Sequence, residues 1–167
     1  MLNFNETAYI SFVRPVNFDT TTNLLGVVQN LIHQGRTNIT IMISSSGGEL
    51  ISGFAAYNQL LMLPINLTTY NIGSVNSIAT IIFLAGKRRI SVPNATFLFH
   101  GTTWGFGHSG SITKRQLIES VSALEIDENR MKRIIVEKTS LEDADVETLL
   151  FEGVTKDAQF AKGCGII

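Results

Sequence analysis

The run NITIMI, residues 38–43, constrains the fold more than any other stretch of the chain. It is β-branched, almost uniformly apolar and too short for a buried helix, so it reads as a strand covered on both faces. Such a strand needs helices above and below it, and the flanking sequence supplies them. Upstream, residues 20–34 place Leu24, Leu25, Val27, Val28, Leu31 and Ile32 at helical spacing behind a threonine-rich start, and Gly35 ends the pattern. Downstream, residues 50–62 read as a second helix.

The alternation continues along the chain. Residues 8–13 and 68–72 are strand-like, "GSVNS" at 73–77 reads as a turn, and 78–85 as a buried helix. Residues 89–92 and 96–99 are short strands separated by the Pro93-Asn94 turn. A long amphipathic helix spans about 113–139, followed by short helices at 143–151 and 157–162. Strands alternating with helices predict an α/β fold with a mainly parallel sheet and right-handed crossovers. No repeat, low-complexity tract or long linker divides the chain, so residues 1–167 are expected to form a single domain.

Composition narrows the function classes. With 44% hydrophobic and 16% charged residues, and a positive mean hydropathy, the chain is expected to bury apolar surface against other copies. A net charge of −1 gives no electrostatic case for nucleic acid or an anionic membrane. One cysteine, Cys164, excludes an internal disulfide or a multi-cysteine zinc site and suits a reducing compartment. The first residues lack the basic and apolar regions of a signal peptide, and no apolar run is long enough to span a bilayer. A cytoplasmic protein without metal or cofactor is expected.

Three places could carry chemistry. Ser44-Ser45-Ser46-Gly47-Gly48 follows the NITIMI strand, where two glycines let backbone N–H groups approach a ligand or simply make a turn. Ser77 opens the helix after the next strand and reads either as its N-cap or as a nucleophile in the helix field. His100 ends the strand "ATFLFH"; a base for Ser77 has to come from such a neighbouring strand end. His33 lies on a surface helix, and His108, within "GFGHSGS", reads as solvated.

Taken together, "ISSSGG", "GSVNSIATIIFLAG" and "VPNATFLFH" resemble the Clp peptidase (ClpP) family, whose segments read roughly I-N-S-P-G-G, G-x-A-A-S-M-G-A-x-L-L-x-A-G and L-P-N-x-x-x-M-I-H. The spacing from Gly48 to Ser77 matches without a gap. The likeness continues through the long helix to "EKTS" and closes at "DAQFAKGCGII". It implies a ClpP/crotonase-like fold with a protruding handle helix at about 113–139. It also implies a serine endopeptidase that cleaves peptides or unfolded protein inside a homo-oligomeric ring. By position, Ser77 resembles the nucleophile and His100 its general base, while the amides of Gly48 and Ile78 resemble the oxyanion hole.

The chain departs from the family at informative points. Gapless alignment from Thr139 to Gly165 puts Gly153 where the family has its aspartate. Glu152, its neighbour, is the nearest carboxylate and the expected third member; Asp157 more naturally caps the last helix. A backbone or asparagine partner for the histidine is the alternative. Ser46 replaces the family's proline, and Val75-Asn76 its Ala-Ala before the serine. The first strand begins almost at once, without room for the N-terminal axial loops, so an ATPase unfoldase partner is not expected. Two other readings stay open: a non-catalytic Clp-like subunit serving assembly, and a crotonase-like acyl-CoA enzyme.

Overall fold

The computed structural model describes residues 7–103 and 112–167; His108 lies outside the described residues. Among the described residues, β1 (Ala8–Val13), β2 (Asn38–Ser45), β3 (Asn66–Asn76), β4 (Arg88–Ser91), β5 (Thr96–Leu98) and β6 (Thr155–Asp157) form one sheet. Its order is β1-β2-β3-β5-β6, with β4 also paired to β3. Every pairing is parallel except β5 with β6. The mainly parallel α/β fold expected from the sequence is therefore present.

The helices are α1 (Phe18–His33), α2 (Leu50–Met62), α3 (Ile78–Leu84), α4 (Lys114–Lys138), α5 (Asp143–Glu152) and α6 (Ala158–Gly163). α1 starts two residues before the expected Thr20, because Asn17 forms a capping box with that threonine. Ile39, Ile41 and Ile43 of β2 are completely buried, as are Ile81, Ile82 and Phe83 of α3. α3 has no exposed face at all. The uniform apolarity of both segments follows from that burial.

β3 corrects the turn expected at 73–77. The strand runs on to Asn76, but it changes partner on one edge, from β4 at Thr68–Asn71 to β5 at Ser74–Asn76. The change is made by a bulge: Ile43 of β2 opposes Asn71, while Ser45 opposes Val75. The buried Asn71 side chain fills the break, accepting from Gly73 N–H at 3.0 Å and donating to the Thr96 carbonyl at 2.9 Å. Gly73 leaves room for Ser44 Oγ, which a Cβ there would approach to 2.8 Å. Accordingly, the Pro93-Asn94 turn offsets the chain without reversing it, and β4 and β5 lie in tandem along β3.

β6 was not expected from the sequence. Its three residues, TKD, carry no apolar signal, and it exists through antiparallel pairing with β5. α4 is the long helix expected at about 113–139, capped by Thr113 and about 37 Å long at 1.5 Å per residue. Only Met131 and Ile135, in its second half, are buried. Leu117, Ile118, Val121 and Ile126 are all at least 45% exposed, so the first half projects from the body.

Candidate active site

Ser77 joins β3 to α3 with φ 55° and ψ −134°. Among the described residues it is the one non-glycine with positive φ. Its ψ takes it outside the left-handed helical well that asparagine and aspartate visit, into territory where a Cβ is strained by roughly 1–3 kcal/mol. Tertiary bonds hold it there. Its N–H donates to the Leu98 carbonyl of β5 at 2.7 Å; its own carbonyl accepts from Thr80 N–H at 2.9 Å and Thr80 Oγ1 at 2.7 Å. The side chain makes no capping bond to α3. The N-cap reading of the serine therefore fails: a cap uses its oxygen on the helix, and Ser77 Oγ makes no such bond.

The Gly47-Gly48 loop lies directly against this serine. A Cβ on Gly47 would sit 2.7 Å from Ser77 Cβ and 3.3 Å from Ser77 Oγ. One on Gly48, at φ 147°, would sit 2.1 Å from the Val16 carbonyl oxygen. Both positions thus need glycine for close approach and for their positive φ, 85° at Gly47 and 147° at Gly48. Val16 N–H donates to Gly47 O and Val16 O accepts from Glu49 N–H, each at 2.8 Å. In this parallel bridge the N–H of Gly48 itself faces away from Val16. Ile78 N–H, first in α3, has no acceptor within its helix. Glu49 locks the loop by accepting from Phe18 N–H at 3.1 Å and Ser52 Oγ at 2.7 Å.

His100 follows β5 after Phe99, two residues beyond the Leu98 carbonyl that holds Ser77 N–H. Its Nδ1 lies 2.7 Å from the Gly101 carbonyl oxygen. A carbonyl only accepts, so this contact puts the proton on Nδ1 and leaves Nε2 as the acceptor nitrogen of the neutral ring. No hydrogen bond joins Ser77 to His100 among the described residues. Nor does a hydrogen bond join Glu152 to His100 among the described residues; the Glu152 carboxylate lies 3.6 Å from Lys156 Nζ. Gly153 is the residue beside the imidazole stem, where an added Cβ would meet His100 Cβ at 3.6 Å, an ordinary contact. Asp157 caps α6, accepting from Phe160 N–H at 2.8 Å, as its position suggested.

Next to His100 is a cavity of about 550 Å³ lined in part by Glu128, Lys132, Glu147, Leu150 and Gly153. Ser77 is not among its lining residues. Lys132 Nζ bonds Glu147 at 2.7 Å and Asp143 at 3.3 Å, tying α4 to α5. Those hydrogen bonds, Glu147's first, push the lysine pKa up. Two features escaped the sequence. Asn76 Oδ1, next to the serine, is buried without a hydrogen-bond partner among the described residues. Glu128 on α4 reaches the loop after His100; in the polar stretch "IDEN" nothing sets it apart from a solvated helix face.

No helix among the described residues is long and apolar enough to cross a membrane, and no cluster of His, Cys, Asp and Glu there could hold a metal ion.

The family model for Clp protease matches residues 2–167 of the chain. Among curated proteins, it is 39% identical over 70 residues to "ATP-dependent Clp protease proteolytic subunit 2" of Borreliella burgdorferi, covering 41% of this chain and 35% of that one. It is 31% identical over 83 residues to the proteolytic subunit 1 of Leifsonia xyli, covering 48% and 42%. With the proteolytic subunit 1 of Streptomyces avermitilis it shares 27% identity over 106 residues, covering 62% and 47%. The chain thus spans less than half the length of each of these relatives.

Proposed function

The chain belongs to the Clp protease family, and from that premise we propose that it is a serine endopeptidase acting on peptides or unfolded segments. The observation that carries this reading is the strained, uncapped Ser77 at the head of α3, with glycine backbone packed against its hydroxyl. A serine kept in such a conformation without capping its helix has a use for its free oxygen.

In this reading His100 Nε2 takes the Ser77 hydroxyl proton as Oγ attacks the scissile carbonyl. The N–H groups of Gly48 and Ile78 stabilise the tetrahedral oxyanion, and His100 returns the proton to the leaving amine. The Ser77–His100 bond forms as substrate seats, as catalytic hydrogen bonds often tighten only in the complex. The exposed apolar side chains of α4 pack against other copies, so the active form is a ring oligomer of single-domain subunits. The lone cysteine suits a cytoplasmic location. Glu152 would need to leave Lys156 to serve as the orienting acid.

A fluorophosphonate probe tests the proposal: the wild-type oligomer should be labelled covalently and the Ser77→Ala variant should not. A wild-type protein that takes no label sinks the peptidase reading. It would favour the assembly-subunit reading, which Gly153 and the unmade Ser77–His100 bond support.

A further inference from the structure

Resting on the reading of His100 as general base, we infer that Glu128 is a positioning residue, which fixes the Gly101 carbonyl as the acceptor for His100 Nδ1–H and so takes over the orienting task of the absent aspartate. The peptides on either side of Gly101 are each held by a different helix. Its N–H donates to the Leu150 carbonyl of α5 at 2.8 Å. The next residue, Thr102, donates to Glu128 Oε1 through both its N–H at 2.9 Å and its Oγ1 at 3.1 Å. Gly101 itself passes so close that an added Cβ would lie 2.9 Å from Glu128 Oε1. One carboxylate oxygen on α4 thus receives two donors from a single residue, one of them the N–H of the very peptide that bears the His100 acceptor, while the preceding peptide is bonded to α5.

The chemistry follows from the acceptor. A fixed carbonyl keeps the proton on Nδ1 and leaves the Nε2 lone pair for the Ser77 hydroxyl. Unlike an aspartate it carries no charge, so it sets the tautomer while giving less support to the imidazolium that forms. The other charged groups lining this cavity, Lys132 of α4 and Glu147 of α5, are bonded to each other, with Asp143 on the same lysine; Glu152, outside the lining, lies against Lys156. Glu128 is the carboxylate bonded to the His100 loop.

Two measurements on the full-length protein decide the matter. Solid-state ¹⁵N spectra of sedimented protein, with His100 identified by difference against His100→Gln, should show neutral His100 protonated on Nδ1. Glu128→Ala should mix in the Nε2-protonated form, whereas Glu128→Gln, which keeps an acceptor oxygen, should not. In parallel, fluorophosphonate labelling should slow about tenfold or more in Glu128→Ala, short of the roughly 10⁴-fold loss that a wrong tautomer brings to a full triad. It should stay within about threefold in Glu128→Gln, whose amide oxygen still accepts both Thr102 donors. Adding Gly153→Asp to Glu128→Ala should restore the rate, a rescue that general loosening of α4 would not permit. If Glu128→Ala fails to fold, Gly101→Ala pushes on the same contact from the other side and should slow labelling likewise. The inference falls if wild-type His100 is protonated on Nε2, or if Glu128→Ala changes neither tautomer nor rate. Should the wild type take no label, the peptidase reading falls while the tautomer spectra still judge Glu128.

Discussion

Installing an aspartate at Gly153 tests the site by gain of function. Gly153 closes α5 in the left-handed conformation, φ 59° and ψ 33°. A side chain there costs about 1 kcal/mol against glycine, the low end for a short polar residue that can bond locally. For a chain of this size that lowers Tm by about 2–4 °C. Sterically the position is open, since the new Cβ meets only His100 Cβ at 3.6 Å. The imidazole would then exchange or share a neutral carbonyl acceptor for a carboxylate. Hydrogen bonds to charged groups exceed neutral ones by about 1–1.5 kcal/mol, which converts to a rate gain of about five- to tenfold if fully expressed in the transition state. The assay is the second-order rate of fluorophosphonate labelling. Gly153→Ala measures the backbone penalty alone, and Gly153→Asn supplies the same shape without the charge. The expected outcome is Asp faster than Asn by the stated factor, with both equally destabilised. A folded Asp variant no faster than its Asn counterpart would refute it, because the carboxylate would then sit beside His100 without effect.

Two further outcomes follow from groups near the site. Replacing Asn76 by alanine removes the buried Oδ1, unpartnered among the described residues, and should stabilise the fold by about 1 kcal/mol, the low end of the penalty for an unsatisfied polar atom. Thermal unfolding reads this directly, and a lower Tm would mean the carboxamide is better satisfied than its surroundings indicate. Burial first, and the charge of Asp145 second, push the Cys164 thiol pKa up. Its iodoacetamide reaction should therefore climb only at higher pH than that of glutathione, and an identical pH–rate curve would contradict the burial. By linkage, this group's contribution to stability is complete below the unfolded thiol's pKa and is lost as pH rises through the folded value.

How far the sequence could be read depended on whether a segment's structure is set locally. α2 falls at the expected residues, and α3 within one residue of the expected end, because their apolar spacing is sufficient on its own. Gly73 misled for a physical reason: glycine usually punctuates a strand, but here it makes room for Ser44 Oγ inside one. The existence of β6 depends on β5, 57 residues earlier, and no local pattern announces such pairing. In the candidate site, Ser77, His100 and the paired glycines could be singled out because their order and spacing resemble a family's. The conformation of Ser77 was not, since its φ is imposed by the Leu98 carbonyl and Thr80. The Gly101 carbonyl and Glu128 carry no motif; they matter only where α4 and α5 pass the end of β5.

The holders of the two candidate catalytic groups come from different ends of the chain. Everything that bends Ser77 into place, from Val16 through Gly47 to Leu98, is made before residue 100. The bonds that pin the loop after His100 come from Glu128 and Leu150, and the strand that closes β5 from residues 155–157. As the chain emerges during synthesis, the nucleophile's elbow can therefore be complete while its base still swings freely. On the proposed function, the fixing of His100 is therefore delayed until Glu128, Leu150 and residues 155–157 in the last third of the sequence have been made. A nascent chain stalled before Glu128 should react with a fluorophosphonate no faster than an isolated serine; labelling at the full-length rate would remove the delay.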